Sequence, residues 1–170
     1  YDPTGEGEWN VSKKSRAGAH DKWVDPPAGL PRTDWGQRLA GLMQVDVMQG
    51  VSYLISQPEV DPARIATVGF SMGSFITGIT GAIDTRIHAV LLSGGGDYDG
   101  PGGYFDMNPL PCQSPPYRSL EVLGDRGAIL YALNAARGPM YVMNGAADRV
   151  MDIPHHDAAW FAGLRARAIA

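Results

Sequence analysis

The stretch that decides the fold is Arg64-Ile65-Ala66-Thr67-Val68-Gly69-Phe70-Ser71-Met72-Gly73-Ser74. It predicts a short strand over residues 65–68, a sharp turn that carries Ser71, and the first turn of a helix. The segment from Gly69 to Gly73 fits the pattern G-x-S-x-G, in which a serine occupies a strained strand-to-helix turn. We expect the two glycines to let the strand and the helix approach closely. The serine hydroxyl then lies at the carboxyl end of the sheet, and the N–H of Met72 points to where an oxyanion would form.

Both flanks of Ser71 have the composition that such a turn requires. Residues 65–68 form an apolar run rich in β-branched side chains, which is typical of a strand buried on both faces. A bystander serine in an ordinary strand–turn–helix unit is the alternative, but the context favours a nucleophilic serine. The apolar residues after the turn recur at near-helical spacing and are Phe75, Ile76, Ile79 and Ile83.

Length and composition indicate one globular domain over residues 1–170, with 44% hydrophobic and 19% charged residues. A net charge of −4 without a long basic run argues against nucleic acid as a partner. No apolar stretch reaches the roughly 20 residues of a membrane span, and no secretory signal peptide is recognisable. Cys112 is the single cysteine, which excludes an internal disulfide and a cysteine-type zinc site and leaves the compartment open.

The first half of the chain predicts an irregular segment followed by one long helix. Residues 1–33 are rich in glycine and proline and have no sustained periodicity. Thr33 and Asp34 are helix-start residues, and we expect the helix to run to about Gln57, before Pro58. Its apolar stripe is Leu39, Met43, Val47, Val51 and Leu54.

The second half continues the alternation of helices and strands that is typical of an α/β fold with a parallel sheet. In order, we expect a strand over residues 87–92, a helix over 120–137 with a break risk at Gly124 and Gly127, a strand over 139–143, and a helix that opens at Pro154.

A long irregular segment over residues 94–118 leaves the second predicted strand at the edge where Ser71 lies. Loops of this length are usually functional or disordered. Its aromatic residues Tyr98, Tyr104 and Phe105 are candidates for lining a substrate pocket. The alternative is that they only pack the loop against the core.

A serine hydroxyl becomes a useful nucleophile only when a base takes its proton and an acid orients that base. Asp148 directly follows the third predicted strand, at the same sheet edge as Ser71, and is therefore the candidate acid. Asp152 is the second choice, and a loop aspartate that closes a turn is the alternative for Asp148.

The chain resembles the α/β-hydrolase superfamily in two segments, residues 60–65 leading into the Ser71 turn and residues 144–150 around Asp148. It is most similar to the dienelactone-hydrolase and acetyl-xylan-esterase-like serine esterases, over roughly Trp35 to Arg165. The resemblance implies that Ser71 is the nucleophile, Asp148 the triad acid and the Met72 N–H an oxyanion donor, with no cofactor and no metal. Dienelactone hydrolases usually carry cysteine at the nucleophile, so the serine favours an esterase that acts on small carboxylic esters.

The chain departs from the family in the position of its histidine. The family histidine follows one further strand, whereas here only His155 and His156 follow Asp148, at the predicted start of a helix. Adjacent helical residues point about 100° apart, and we expect a surface position for them. His155 is the candidate base, with His156 and His20 as alternatives.

We expect an incomplete fold, with the early strands and the last strand missing and a second chain or a missing segment completing the sheet and the triad. Two other functions stay open: a fragment of a prolyl-oligopeptidase-like serine peptidase, and an inactive hydrolase-like module used for binding or assembly. The acidic residues and histidines between Asp148 and His156 match no recognised metal-ligand spacing.

Overall fold

A computed structural model describes residues 28–29, 32–98, 120–149 and 155–170. These residues form four α-helices and three strands that alternate along the chain. In order, the elements are α1 (Arg32–Ile55), β1 (Ala66–Phe70), α2 (Met72–Ile83), β2 (Ala89–Ser93), α3 (Arg126–Ala135), β3 (Met140–Met143) and α4 (Ala158–Ile169).

The three strands form one parallel sheet in the order β1-β2-β3. Ala66 pairs with Ala89 at the start of β1, and Val90 pairs with Met140 at the start of β3. This confirms the predicted α/β class with a parallel sheet flanked by helices, and it is consistent with an incomplete α/β fold. All three strands end at the same edge, because a parallel sheet aligns its carboxyl ends.

Helix α1 covers nearly the predicted range and packs against α2. Met43 and Val51 of the predicted apolar stripe are buried, and Val47 is partly buried against the core. Leu54 is exposed, so the stripe ends one turn earlier than its spacing predicted. None of the described helices is both long and apolar enough to cross a membrane.

The core lies on one face of the sheet. Val90 and Leu92 of β2 point into it, and α2 packs across β1 and β2 with Phe75 and Ile76 fully buried. On the opposite face Val68 and Phe70 are 71% and 75% exposed. The prediction that this strand is buried on both faces is therefore wrong for the part of the chain that the structure describes, because its alternate side chains meet cover on one side only.

The boundaries of the last two helices follow their capping residues. Gly124 has a φ of 73° and interrupts the helix that was predicted from residue 120, and Asp125 then caps α3 by accepting from the N–H of Ala128. Asp157 caps α4 by accepting from the N–H of Trp160. Helix α4 thus begins at Ala158, and the prediction that it opens at Pro154 is wrong, because the carboxylate cap lies later in the chain.

Two predictions lie largely outside the described residues. Most of the irregular segment 1–33 and of the long loop 94–118 falls there, with the described parts being residues 28–29, 32–33 and 94–98. The assignment of residues 1–170 to a single domain stays a prediction.

Candidate active site at the carboxyl edge of the sheet

Ser71 occupies the turn between β1 and α2 with a φ of 52° and a ψ of −122°. Among the described residues it alone has a positive φ without being a glycine. Its N–H donates to the carbonyl of Ser93 at 2.8 Å, one residue beyond the β1–β2 pairing. Strained backbone of this kind costs on the order of 1–3 kcal/mol and concentrates at functional sites, where the surrounding structure imposes it.

The two glycines of the G-x-S-x-G segment have different roles. A Cβ on Gly69 would lie 2.1 Å from the carbonyl oxygen of Gly73 and 2.4 Å from Oγ1 of Thr77. A Cβ on Gly73 would meet nothing within 4 Å. Close approach of strand and helix therefore requires the first glycine, and the expectation that both glycines serve this purpose is wrong for Gly73.

Met72 is the first residue of α2, directly after the serine. Its backbone N–H belongs to the first turn, where N–H groups have no acceptor within the helix. The N-terminus of a helix also carries partial positive charge. The sequence prediction that this N–H stabilises an oxyanion beside Ser71 fits the position of Met72 in the chain and in the helix.

Hydrogen bonds tie the ends of β2 and β3 together beside this turn. The N–H of Gly94 donates to the carbonyl of Met143 at 3.0 Å. The Asn144 side chain accepts from the N–H of Gly95 at 2.9 Å and donates to its carbonyl at 3.1 Å. Because Ser71 is bonded to the end of β2, the residues that follow all three strands are held in one row.

A carboxylate and a histidine meet in the interior near this row. Nδ1 of His156 lies 3.3 Å from Oδ2 of Asp97, and their side chains are 3% and 0% exposed. Burial raises the pKa of Asp97 to about 7. The hydrogen bond to His156 and the charge of that ring lower the same pKa but do not outweigh the burial. The negative charge of Asp148 raises the same pKa, so the carboxylate that follows β3 lies within electrostatic range of the pair.

The structure separates the two histidines of the predicted helix start. His155 is exposed, as expected, whereas His156 is buried. The prediction of a surface position is wrong for His156, because both histidines lie in the turn before α4 and not in the helix itself. This turn directs the His156 ring inward, where it stacks on Trp160 at a centroid distance of 4.3 Å.

Sequence reasoning missed Asp97, although the same rule that selected Asp148 applies to it. Asp97 follows Gly94-Gly95-Gly96 at the carboxyl end of β2, as Asp148 follows residues 144–147 at the end of β3. Asp148 itself is half-buried, and its N–H donates to the carbonyl of Gly145 at 3.0 Å. Asp152 and His20, the other candidates, lie outside the described residues.

Tyr98 lies in the core and not on the wall of an open pocket. It is fully buried and packs edge-on against Phe75 and Tyr131 at centroid distances of 5.5 and 6.2 Å. This corresponds to the alternative in which the loop aromatics hold the loop to the core. Tyr104 and Phe105, the other pocket candidates, lie outside the described residues.

A cavity of about 910 Å³ opens between β3, α3 and α4. Its walls are mainly apolar and include Val142 and Phe161, and the polar side chains of His156 and Asn144 also line it. Ser71 is not among the residues that line it. Among the described residues, no three side chains of the metal-ligating types come together to hold an ion.

Comparison with known proteins gives one short match. Over 52 residues the chain is 38% identical to the Bacillus subtilis (strain 168) protein named "Putative hydrolase YtaP". The matched stretch is 31% of this chain and 17% of that protein. No family model matches the chain, and no solved structure matches it. The match and the parallel α/β sheet loosely support a relationship to hydrolases.

Proposed function

We propose that the protein is a serine hydrolase that cleaves small carboxylic esters through an acyl-enzyme on Ser71. The observation that carries this proposal is the backbone of Ser71, a non-glycine residue at a φ of 52° between the carboxyl end of β1 and the N-terminus of α2. Strain at a residue whose hydroxyl can act as a nucleophile is the arrangement of the nucleophile elbow.

The proposed reaction proceeds in two halves. The Ser71 oxygen attacks the acyl carbon while a base removes its proton, and the oxyanion that forms accepts a hydrogen bond from the Met72 N–H. The alcohol leaves as the acyl-enzyme forms, and water then releases the acid. From the sequence, His155 and Asp148 are the predicted base and acid, and both stay predictions.

The relative supports a hydrolase in general, and the esterase chemistry is inferred from the Ser71 turn. A serine peptidase would use the same turn, so the substrate class separates these two functions. An inactive module would keep the turn without its reactivity.

We further propose that a second chain or a further segment completes the sheet. Within the described residues neither β1 nor β3 has a strand on its outer side, and the apolar side chains of Val68 and Phe70 are exposed. Unpaired edges with apolar flanks tend to acquire a partner. Light scattering of the purified chain measures whether that partner is a second copy.

The experiment is hydrolysis of p-nitrophenyl acetate and butyrate by the purified chain, compared with Ser71→Ala. Ser56→Ala, at an exposed position at the end of α1, is the matched control. We expect turnover that Ser71→Ala abolishes and Ser56→Ala retains. Cleavage of proline-containing peptides without ester turnover would move the assignment to a peptidase, and a folded chain without either activity would contradict a hydrolase.

A further inference from the structure

The cavity between β3, α3 and α4 has the size and the lining of a small-molecule site. Its volume of about 910 Å³ lies within the range of ligand pockets, roughly 300–1,000 Å³. At α3 and its C-cap the lining includes the alanines Ala132, Ala135 and Ala136, which leave space that longer side chains would fill. Strand β3 contributes Met140 and Val142, so the interior of the cavity is predominantly apolar.

Helix α4 contributes one stripe of its surface to the cavity. The lining residues of α4 recur every three or four positions, as one face of a helix does, and include Ala158, Phe161, Arg165 and Ala168. Phe161 and Ala168 are partly buried against the core, whereas Arg165 is exposed. The stripe therefore presents apolar side chains to the cavity, together with one cation that stays in contact with solvent.

The uncharged polar side chains of the lining are already engaged within the protein. Asn144 accepts from the N–H of Gly95 at 2.9 Å and donates to its carbonyl at 3.1 Å. The Tyr131 hydroxyl donates to the carbonyl of Gly96 at 3.0 Å. A polar ligand group inside the cavity would have to compete with these hydrogen bonds, so the interior favours an apolar chain.

Arg165 brings a permanent positive charge to the cavity, and no carboxylate of the described residues pairs with it. Arg167, the next arginine of α4, differs, because its guanidinium bonds the carboxylate of Asp125 at 2.6 Å. The charge of Arg165 also acts on the interior. Burial raises the pKa of the lining residue Tyr131, and the charge of Arg165 lowers it. An anionic group of a ligand would supply the partner that this guanidinium does not have within the described residues.

A negative charge at the other end of α4 fixes the direction of such a ligand. Asp157 also lines the cavity, and its carboxylate accepts from the N–H of Trp160 at 2.9 Å. It precedes Arg165 by eight residues, which is about 12 Å along the axis of α4. An anion is therefore attracted at the Arg165 end of the cavity and repelled at the Asp157 end. We propose that the cavity binds a monocarboxylic acid with an apolar chain, which places its carboxylate on Arg165 and its chain among the apolar side chains of α3, β3 and α4.

The test is displacement of the neutral dye Nile red from the purified chain by decanoate and, separately, by decanol, which has the same chain and no charge. Both should displace the dye from the wild type. Arg165→Met should weaken decanoate about fivefold, which is the upper range for an ion pair that stays partly in water, and should leave decanol unchanged. Arg38→Met removes the same charge from an exposed position of α1 and is the matched control, for which we expect the wild-type affinity for decanoate.

A second pair of variants locates the chain of the ligand. Ala132→Phe places a large side chain in the cavity and should weaken decanoate and decanol alike. Leu133→Phe changes the neighbouring position of α3, which is exposed and does not line the cavity, and should bind both compounds as the wild type does. If melting shows that Ala132→Phe does not fold, the comparison of Arg165→Met with Arg38→Met decides.

Decanoate that does not displace the dye from the folded wild type would overturn the proposal, and so would equal affinities of decanoate for Arg165→Met and Arg38→Met. Unchanged binding of both compounds to folded Ala132→Phe would place the ligand outside this cavity and overturn it as well. Ser71 does not line the cavity, so these outcomes are independent of the hydrolase function proposed above.

Discussion

The backbone N–H of Ser71 donates to the carbonyl of Ser93 at 2.8 Å, which extends the β1–β2 pairing into the turn. The sheet therefore holds the serine on one side while α2 begins on the other. A residue held in this way cannot relax from its φ of 52° without breaking that hydrogen bond or unwinding the helix start. The strain at the nucleophile is thus imposed by the two elements that position it.

Replacing Ser71 with glycine should stabilise the fold relative to replacing it with alanine. Glycine adopts a positive φ without steric cost, whereas alanine keeps the strain of a Cβ. We expect Ser71→Gly to be more stable than Ser71→Ala by about 1 kcal/mol in urea unfolding, after the entropic cost of glycine is included. Equal midpoints for the two variants would show that the turn is unstrained.

The first glycine of the turn should be essential for stability and the second should not. Gly69→Ala places a Cβ 2.1 Å from a backbone oxygen of α2, and we expect a loss of about 2 kcal/mol or more, since backbone must shift to relieve it. Gly73→Ala meets open space in the first turn of α2 and should be neutral or stabilising by up to about 1 kcal/mol. Thermal melting of the two single variants measures the difference, and similar losses in both would contradict the close packing at Gly69.

Arg86 should stabilise the protein through its buried partner Asp84. Its guanidinium bonds both carboxylate oxygens at 2.8 and 2.6 Å and reaches α1 at the carbonyl of Met48. Asp84 is buried, so Arg86→Met leaves a carboxylate without its cation, and we expect a loss of about 2–4 kcal/mol. Arg64→Met breaks an exposed pair with Asp61 and should cost less than about 1 kcal/mol.

The same pair should make stability depend on pH in the acidic range. The hydrogen bonds from Arg86 lower the pKa of Asp84, so the folded state favours the ionised carboxylate. This contribution is present above the ordinary pKa of 3.8 and is lost as the pH falls through the lowered value. Urea unfolding between pH 5 and pH 2 measures it, and an identical pH dependence in the wild type and Arg86→Met would contradict Arg86 as the cause of the lowered pKa.

Ionisation of Asp97 should change stability with pH in the opposite direction to that of Asp84. Burial raises its pKa to about 7, so the folded state keeps a proton that the unfolded chain loses near 3.8. The free energy of unfolding therefore decreases as the pH rises from about 4 to about 7. The titratable groups that face this carboxyl group are His156, Asp148 and the buried phenols of Tyr98 and Tyr131.

Asp97→Asn tests that sign directly. The amide cannot ionise, so the urea midpoint of this variant should fall less between pH 4.5 and pH 7.5 than that of the wild type. Asp157→Asn, which retains a capping side chain on the exposed start of α4, is the control and should keep the wild-type slope. A wild-type midpoint that rises over this range would contradict a raised pKa at Asp97.

Local patterns in the sequence predicted most of the framework. The strand, turn and helix around Ser71, the parallel order of three strands and the loop of Asp148 after β3 all follow from apolar spacing, turn residues and the carboxyl-end rule. The N-cap residue of α4, Asp157, is also visible in the sequence, and the helix begins after it at Ala158. Pro154 is the more conspicuous helix-start residue and gave the wrong boundary.

Contacts between distant segments could not be predicted in this way. Asp97 and His156 are far apart in the chain, and neither residue type nor spacing indicates that they meet. The exposed face of β1 could not be predicted either. An apolar sequence pattern shows that a side chain favours burial, but it does not show which other element covers it. Both features depend on how separate elements pack around the sheet.

The most direct test of Ser71 as the nucleophile is labelling of the full chain with a fluorophosphonate probe, followed by intact-mass and peptide mass spectrometry. We expect one adduct, located on Ser71, which disappears in Ser71→Ala and persists in Ser56→Ala. A well-folded chain that gains no adduct, or an adduct at another serine that survives in Ser71→Ala, would contradict Ser71 as the nucleophile.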